Sequence, residues 1–216
     1  MTARKQPTEV FHFTHIDHLA TVIRENLLCD ATVQKSNLLS NEVGNTAIKE
    51  RRRRRSIKVD PGGVVTDYVP FYFAPRSPMM YAIAGGTVPT FQEGTKQLVY
   101  LITSLERLHQ LGHQIVLTDR NAALNYAEHQ VFDPEDLVDD GFIDWPLMDE
   151  KFWTNTPENP DRKERRMAEA LVYQRVNWEA IEEIVVHNGA IKEEATAILE
   201  ECGVRLQVNV RPAWYF

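Results

Sequence analysis

Gln97 to Thr103 reads Gln-Leu-Val-Tyr-Leu-Ile-Thr, an unbroken apolar run closed at both ends by polar residues. That length and those flanks predict a strand buried on both faces. Val10 to Phe13, Gln114 to Thr118, Ala168 to Tyr173, Ile184 to His187 and Val204 to Val210 predict further strands. Tyr68 to Phe73 is another strand pattern, and Pro70 inside it points to an edge or a strand start. The apolar period lengthens elsewhere. Ile16, Leu19, Ala20, Ile23 and Leu27 predict one helix, with Thr14 as its N-cap and Asp17 completing a capping box. Ile191, Ala195, Ile198, Leu199 and Cys202 predict another. A short helix is expected from Ser104 to Leu111, ended by Gly112, and one from Asp119 or Asn121 to about His129. A third short helix starts at Asn45 or Thr46 and carries Arg51 to Arg55, with Pro61-Gly62-Gly63 as the turn behind it. Residues 30–47 read as an irregular excursion, and 131–160 as a long acidic loop. Strands and helices mix without strict alternation, so the pattern favours an α+β or mixed sheet over a doubly wound fold.

The chain has 216 residues, 43% hydrophobic and 25% charged. This suits one folded domain over 1–216, and no repeat or low-complexity linker divides it. No apolar run approaches the roughly 20 residues of a membrane span. The first residues lack the apolar stretch of a signal peptide, so a cytoplasmic protein is expected. Cys29 and Cys202 fit neither a disulfide framework nor a zinc site. The net charge of -7 would argue against a nucleic-acid partner, but it hides an asymmetry. Residues 1–100 hold 13 Lys and Arg against 9 Asp and Glu, and residues 101–216 hold 11 against 22. Local fields outweigh the sum when a charged ligand approaches.

Several residues carry candidate chemistry. There is no dinucleotide-binding glycine fingerprint, Walker loop, zincin motif or nucleophile elbow. His12, His15 and His18 are evenly spaced, but carboxylate and thiolate partners are not near in sequence, and no metal site is expected. His15 and His18 read as exposed first-turn residues. His12 ends a strand just before a helix, where its ring and Thr14 can approach a ligand. Five arginines on a helix point all round, so most form a solvated face while one can turn inward to an anion. The aromatics of Tyr68 to Tyr81 suit either a core or a stacking wall. Glu169 opens an apolar strand, where a carboxylate needs a partner if it is buried.

The order of these pieces resembles one family. Phe11-His12-Phe13-Thr14-His15 comes first, followed by Ile48-Lys49-Glu50-Arg51-Arg52. Asp67 to Met79 contains Val-Pro-Phe-Tyr-Phe and Pro-Arg-Ser-Pro-Met, and Arg162 to Arg166 leads into Ala168-Glu169-Ala170-Leu171-Val172. Over nearly the whole chain the sequence resembles the DarT family of DNA ADP-ribosyltransferase toxins. The resemblance implies an ADP-ribosyltransferase-like fold, with a split mixed β-sheet and a NAD cleft between its halves. It implies transfer of ADP-ribose from NAD to a thymidine base in single-stranded DNA, with release of nicotinamide. It also implies a DarG-type antitoxin with a macrodomain as partner; a monomer is expected. Carried onto this chain, Glu169 and Arg51 are the catalytic pair, with Arg52 the alternative register for the arginine. His12, Thr14 and Tyr72 hold NAD. Arg52, Arg54, Arg76, Arg165 and Arg166 are the candidates for nucleic acid, on a basic track built from the two arginine-rich segments. Transfer to another base, RNA or protein, and a non-catalytic NAD- or nucleic-acid-binding module, are the alternatives.

Overall fold

A computed structural model describes residues 4–36, 38, 41–134 and 141–216. Its strands are β1 (Glu9–His15), β2 (Leu27–Leu28), β3 (Tyr68–Tyr72), β4 (Leu98–Ser104), β5 (Ile115–Thr118), β6 (His129–Val131), β7 (Glu169–Tyr173), β8 (Arg175–Val176), β9 (Glu183–Val186) and β10 (Val208–Val210). Eight of them form one sheet in the order β10-β9-β4-β1-β3-β7-β5-β6, and β2 pairs with β8 apart from it. Neighbours are antiparallel except β10 and β9, which run parallel. The mixed α+β architecture expected from strands and helices that do not strictly alternate is therefore present.

The sheet is divided at its middle. β1 pairs with β4 along its whole length, from Glu9 opposite Ser104 to His15 opposite Leu98. On its other side β1 meets β3 only where Phe11 faces Tyr72. Pro70 explains part of this opening. Its carbonyl accepts a hydrogen bond from the His12 ring, 2.8 Å away, so its backbone faces β1, and there it has no N–H to offer a ladder. Pro70 thus lies inside the strand order, not at the outer edge of the sheet, and its missing donor faces the split.

Side-chain alternation covers both faces. On one face a continuous core crosses the split, from Val10, Leu101 and Ile184 to Val69, Phe71 and Val172. On the other face the apolar residues fall into two separate clusters. Phe11, Phe13, Tyr100 and Val185 belong to the β1–β4–β9 half, and Tyr68, Val116 and Leu171 to the β3–β7–β5 half. The molecule is therefore held together through one face and parted on the other.

The helices are α1 (Leu19–Glu25), α2 (Asp30–Ser36), α3 (Thr46–Arg53), α4 (Pro78–Ala84), α5 (Leu105–Gln110), α6 (Trp145–Asp149), α7 (Arg162–Arg165) and α8 (Gly189–Glu201). α5 has Ser104 as N-cap and Gly112 just beyond it at φ +77, as its end signals predict. α3 starts at the predicted cap, Asn45, whose Oδ1 accepts from the backbone of Ala47 and Ile48. Other expectations are corrected. β1 continues through His15, so His15 and not Thr14 caps the turn that precedes α1. The turn buries Ile16, α1 buries Leu19 and Val22, and Leu27 passes into β2. Residues 30–36 are helical. No sequence stripe marks α2, because none of its residues is buried. Residues 119–128 form turns instead of a helix, since Asp119 Oδ1 accepts the Glu128 amide and closes the segment on itself. The last strand is limited to Val208–Val210. Within 131–160 the structure places α6, with Asp144 as N-cap, while residues 135–140 lie outside those described. No described helix is long and apolar enough to cross a membrane.

Candidate active site

The opening between β1 and β3 holds a cavity of about 250 Å³. His12 and Thr14 from β1, Pro70 and Tyr72 from β3, and Arg52 from α3 line it together with Met79. Glu169 lies directly behind, the first residue of β7, opposite Tyr72 in register and fully buried. A carboxylate removed from water in this way requires compensation. Arg52 supplies it as a two-pronged fork, Nη1 to Oε1 and Nη2 to Oε2, both at 2.9 Å. The Ala122 amide donates to Oε1 at 3.1 Å, so three donors fix the carboxylate. Burial alone would lower the arginine's pKa. The Glu169 charge outweighs it and leaves Arg52 above the ordinary arginine value.

Helix phase selects this arginine. Asn45, Ile48, Lys49 and Arg52 all line the cavity, and their spacing of 3, 4 and 7 is one face of a helix. Arg51, expected as the catalytic arginine, is one step round and exposed, and the guanidinium at Glu169 is that of Arg52. Arg53 turns outward to Glu50 and Asp30, and Arg54 is exposed. Lys49 sits between Asp30 and Glu42, at 2.5 and 2.7 Å.

His12 donates or accepts at Nδ1 with the Pro70 carbonyl, which can only accept, so Nδ1 carries the proton. Desolvation lowers its pKa from 6.5 to about 4, against the Pro70 bond that raises it and with His18 adding to the fall. The ring is neutral near pH 7 and keeps the Nε2 lone pair as an acceptor. His18, also lowered chiefly by burial, accepts the Asn41 amide at Nε2 and so donates from Nδ1 to the Thr14 hydroxyl at 2.9 Å. That leaves the Thr14 proton for another acceptor. His15 and His18 are both buried, contrary to the exposed first-turn reading, because their ring nitrogens are satisfied within this network. Tyr72 stacks on Phe13 at 6.3 Å and 19°, and burial followed by the Glu169 charge raises its pKa, keeping the phenol neutral. Among the described residues no cluster of His, Cys, Asp or Glu could hold a metal.

The depressed His12 pKa has a sign that can be tested. Below pH 6.5 the unfolded chain takes up a proton that the folded ring refuses until about pH 4. Stability must therefore fall as pH drops through that window, by on the order of 3 kcal/mol for this group, and His18 adds in the same direction. Urea unfolding from pH 7 to 4 should show a shallower loss for His12→Gln than for the parent chain. Equal slopes would rule out His12 as the cause.

The remaining candidates for nucleic acid separate. Arg54 is exposed. Arg52 is committed to Glu169. Arg165 is committed to Asp161, Asp144 and Asn159, and Arg162 to Glu150. Arg166 is buried and donates to the carbonyls of Leu147, Met148 and Pro75. Arg76 donates to the carbonyls of Ala213 and Tyr215 and covers the Phe216 ring. The second half of the expected basic track is thus neutralised or buried, since local acids and carbonyls take its guanidinium groups.

The whole molecule superimposes on solved structures. That of Thermus sp. 2.9 DarT in complex with ADP-ribosylated ssDNA is 35% identical, with a TM-score of 0.90 over 100% of this chain and 99% of that one. The same protein in complex with NAD+ gives 34% identity and a TM-score of 0.86, covering 100% of both chains. The class is that of the DNA ADP-ribosyltransferases. A DNA ADP-ribosyl transferase of Thermus sp. (strain 2.9) is 35% identical over 213 residues, 98% of this chain and 97% of the relative. Residues 11–216 match the family described as DarT, ssDNA thymidine ADP-ribosyltransferase, and the chain belongs to that family. A more distant relative in Thermosipho africanus is a DNA ADP-ribosyl transferase-DNA ADP-ribosyl glycohydrolase fusion protein. It is 25% identical over 82% of this chain and 42% of its own length.

Proposed function

We propose that this chain, acting as one domain, transfers ADP-ribose from NAD to a thymidine base in single-stranded DNA and releases nicotinamide. The observation that carries the reading is the buried fork of Arg52 on Glu169, set beside His12 and Tyr72 where the sheet parts. His12 Nε2 and the Thr14 hydroxyl are an acceptor and a donor suited to ribose hydroxyls, and the Tyr72 ring is a flat wall for nicotinamide. Apolar side chains such as Val22, Leu27 and Met79 exclude water around them.

In the reaction the bond from the nicotinamide nitrogen to the ribose carbon breaks, and its electron pair leaves with nicotinamide. Positive charge grows on the ribose carbon and ring oxygen. Glu169, held in place by the Arg52 fork, opposes that charge from a fixed position, with no reorganisation at the moment of reaction. A thymine ring nitrogen then bonds to the ribose carbon and gives up its proton, for which the Glu169 carboxylate is the base. Arg52 holds the carboxylate and presents a donor towards the thymine carbonyl. A single-stranded substrate meets the need for an unstacked base edge. The carboxylate and its partner are intact, which favours catalysis over a non-catalytic module.

The enzyme acts as a toxin in the cytoplasm, as a monomer. Its partner is a DarG-type antitoxin whose macrodomain removes the modification; the joining of transferase and glycohydrolase in the Thermosipho africanus relative supports that pairing. The experiment is incubation with NAD and short oligonucleotides of single base composition, read by mass and by nicotinamide release. Thymidine oligonucleotides should gain one ADP-ribose per nicotinamide released. Gain on guanine, RNA or protein with none on thymidine would overturn the reading.

A further inference from the structure

Glu169 opens β7 directly opposite Thr118, the last residue of β5, so the two side chains leave the same face of the sheet. Both residues are fully buried. The Thr118 hydroxyl donates its one proton to the Arg120 carbonyl at 2.7 Å, and its oxygen accepts the Glu169 backbone N–H at 3.1 Å. A buried hydroxyl is costly unless its bonds are made, and here both reach the two segments that meet at Glu169. One side chain thus joins the backbone of Glu169 to the turn that follows β5.

That turn is tied at further points. The Asn121 amide donates to the Glu164 carbonyl at 3.1 Å, the Asn121 Oδ1 accepts the Ala123 amide at 2.9 Å, and the Leu124 amide donates to the Asn121 carbonyl at 3.0 Å. Between these bonds the Ala122 amide donates to Glu169 Oε1 at 3.1 Å. Ala122 is fully buried in the cluster with Tyr68, Val116 and Leu171, so water does not compete for that amide.

The result is an asymmetric carboxylate. Oε1 accepts from Arg52 Nη1 and from the Ala122 amide, whereas Oε2 accepts from Arg52 Nη2 alone among the described residues. A carboxylate oxygen has two lone-pair directions, so Oε1 is filled and Oε2 keeps one open. The Arg52 fork by itself holds both oxygens alike, and the amide makes the difference. We propose that Thr118 is a positioning residue: its hydroxyl fixes the turn that aims the Ala122 amide at Oε1, leaving Oε2 as the oxygen that faces the ribose cation and takes the proton. This rests on the proposed reaction and adds the atom through which Glu169 acts and the side chain that selects it.

Thr118→Val and Thr118→Ser in the full chain test it, with thermal melting as the check on folding. Nicotinamide release is followed with and without a thymidine oligonucleotide, and labelling of the oligonucleotide by mass. Thr118→Val should lower kcat about ten-fold, the least that one hydrogen bond to a charged group is worth. The KM for NAD and for the oligonucleotide should stay within about two-fold of the parent. Thr118→Ser keeps the hydroxyl and should keep the parent rate. Exchange of the Ala122 amide with solvent should quicken about ten-fold in Thr118→Val and not in Thr118→Ser. If Thr118→Val does not fold, Thr118→Ala removes the same hydroxyl without a bulkier group in its place and is read in the same way. Parent kcat in the hydroxyl-free variant, or a loss of rate that Thr118→Ser shares, would overturn the positioning role. The two readings fail separately. A parent chain that labels thymidine while Thr118→Val keeps its rate would refute the positioning alone. A parent chain that releases nicotinamide at a rate set by the hydroxyl, yet labels no thymidine, would refute the thymidine acceptor alone.

Discussion

Glu169→Gln is expected to reduce DNA modification at least a thousand-fold while the protein stays folded. The carboxylate is fully buried and accepts from both Arg52 nitrogens and from the Ala122 amide. Glutamine keeps the shape and one oxygen but loses the charge that opposes the forming ribose cation and the base that accepts the thymine proton. A thousand-fold loss is about 4 kcal/mol of transition-state stabilisation, at the upper end of what one fixed electrostatic group supplies, with the proton transfer added to it. Glu169→Ala is a less clean test. It leaves the Arg52 guanidinium, whose side chain is 14% exposed, without its counter-charge, and breaking such a pair costs about 3–5 kcal/mol of stability. The alanine variant should therefore melt earlier as well as fail to react. Mass analysis of a thymidine oligonucleotide, with melting curves of both variants, separates the two effects. A glutamine variant that labels DNA at the parent rate would remove Glu169 from the chemistry.

Glu169 was readable in sequence as an oddity, a carboxylate at the mouth of an apolar strand, but not as a paired group. Its partner is 117 residues away, and only the sheet order, which puts β3 beside β7 and parts β1 from β3, brings α3 over that strand. Periodicity locates strands and says nothing about which become neighbours. β4, β7 and α8 were legible because burial imposes a continuous apolar run or a helical stripe on them. α2 and the paired β2 and β8 were not, since two-residue strands and a helix with no buried residue leave no pattern. Buried histidines were missed for a related reason. His15 and His18 read as surface residues because what permits their burial is a hydrogen-bond network reaching to Asn41 and Glu93, far along the chain. The placing of His12, Tyr72 and Glu169 in one site came from family resemblance, as pattern alone left each of them with an ordinary structural reading.

The arginine run shows where a local argument reaches further than a motif. The resemblance implies Arg51, but Asn45, Ile48 and Lys49 of this helix line the cavity, and Arg52, at spacings of 7, 4 and 3 from them, is the arginine central to that face. Two opposite outcomes follow. Arg52→Ala should lower kcat at least a hundred-fold and reduce stability, because the Glu169 carboxylate is left buried with only the Ala122 amide. Arg52→Lys should recover part of the stability and little of the rate, since one ammonium cannot hold both oxygens as the planar fork does. Arg51→Ala, on the exposed side, should keep kcat within about two-fold. If Arg51 touches a DNA phosphate, its loss should weaken binding uniformly across sequences and lower the slope of log affinity against log salt by about one. Single-turnover labelling of a thymidine oligonucleotide, alongside a salt series for binding, reads both residues in one preparation. A rate that collapses in Arg51→Ala and survives in Arg52→Ala would reverse the register and with it the role assigned to the buried fork.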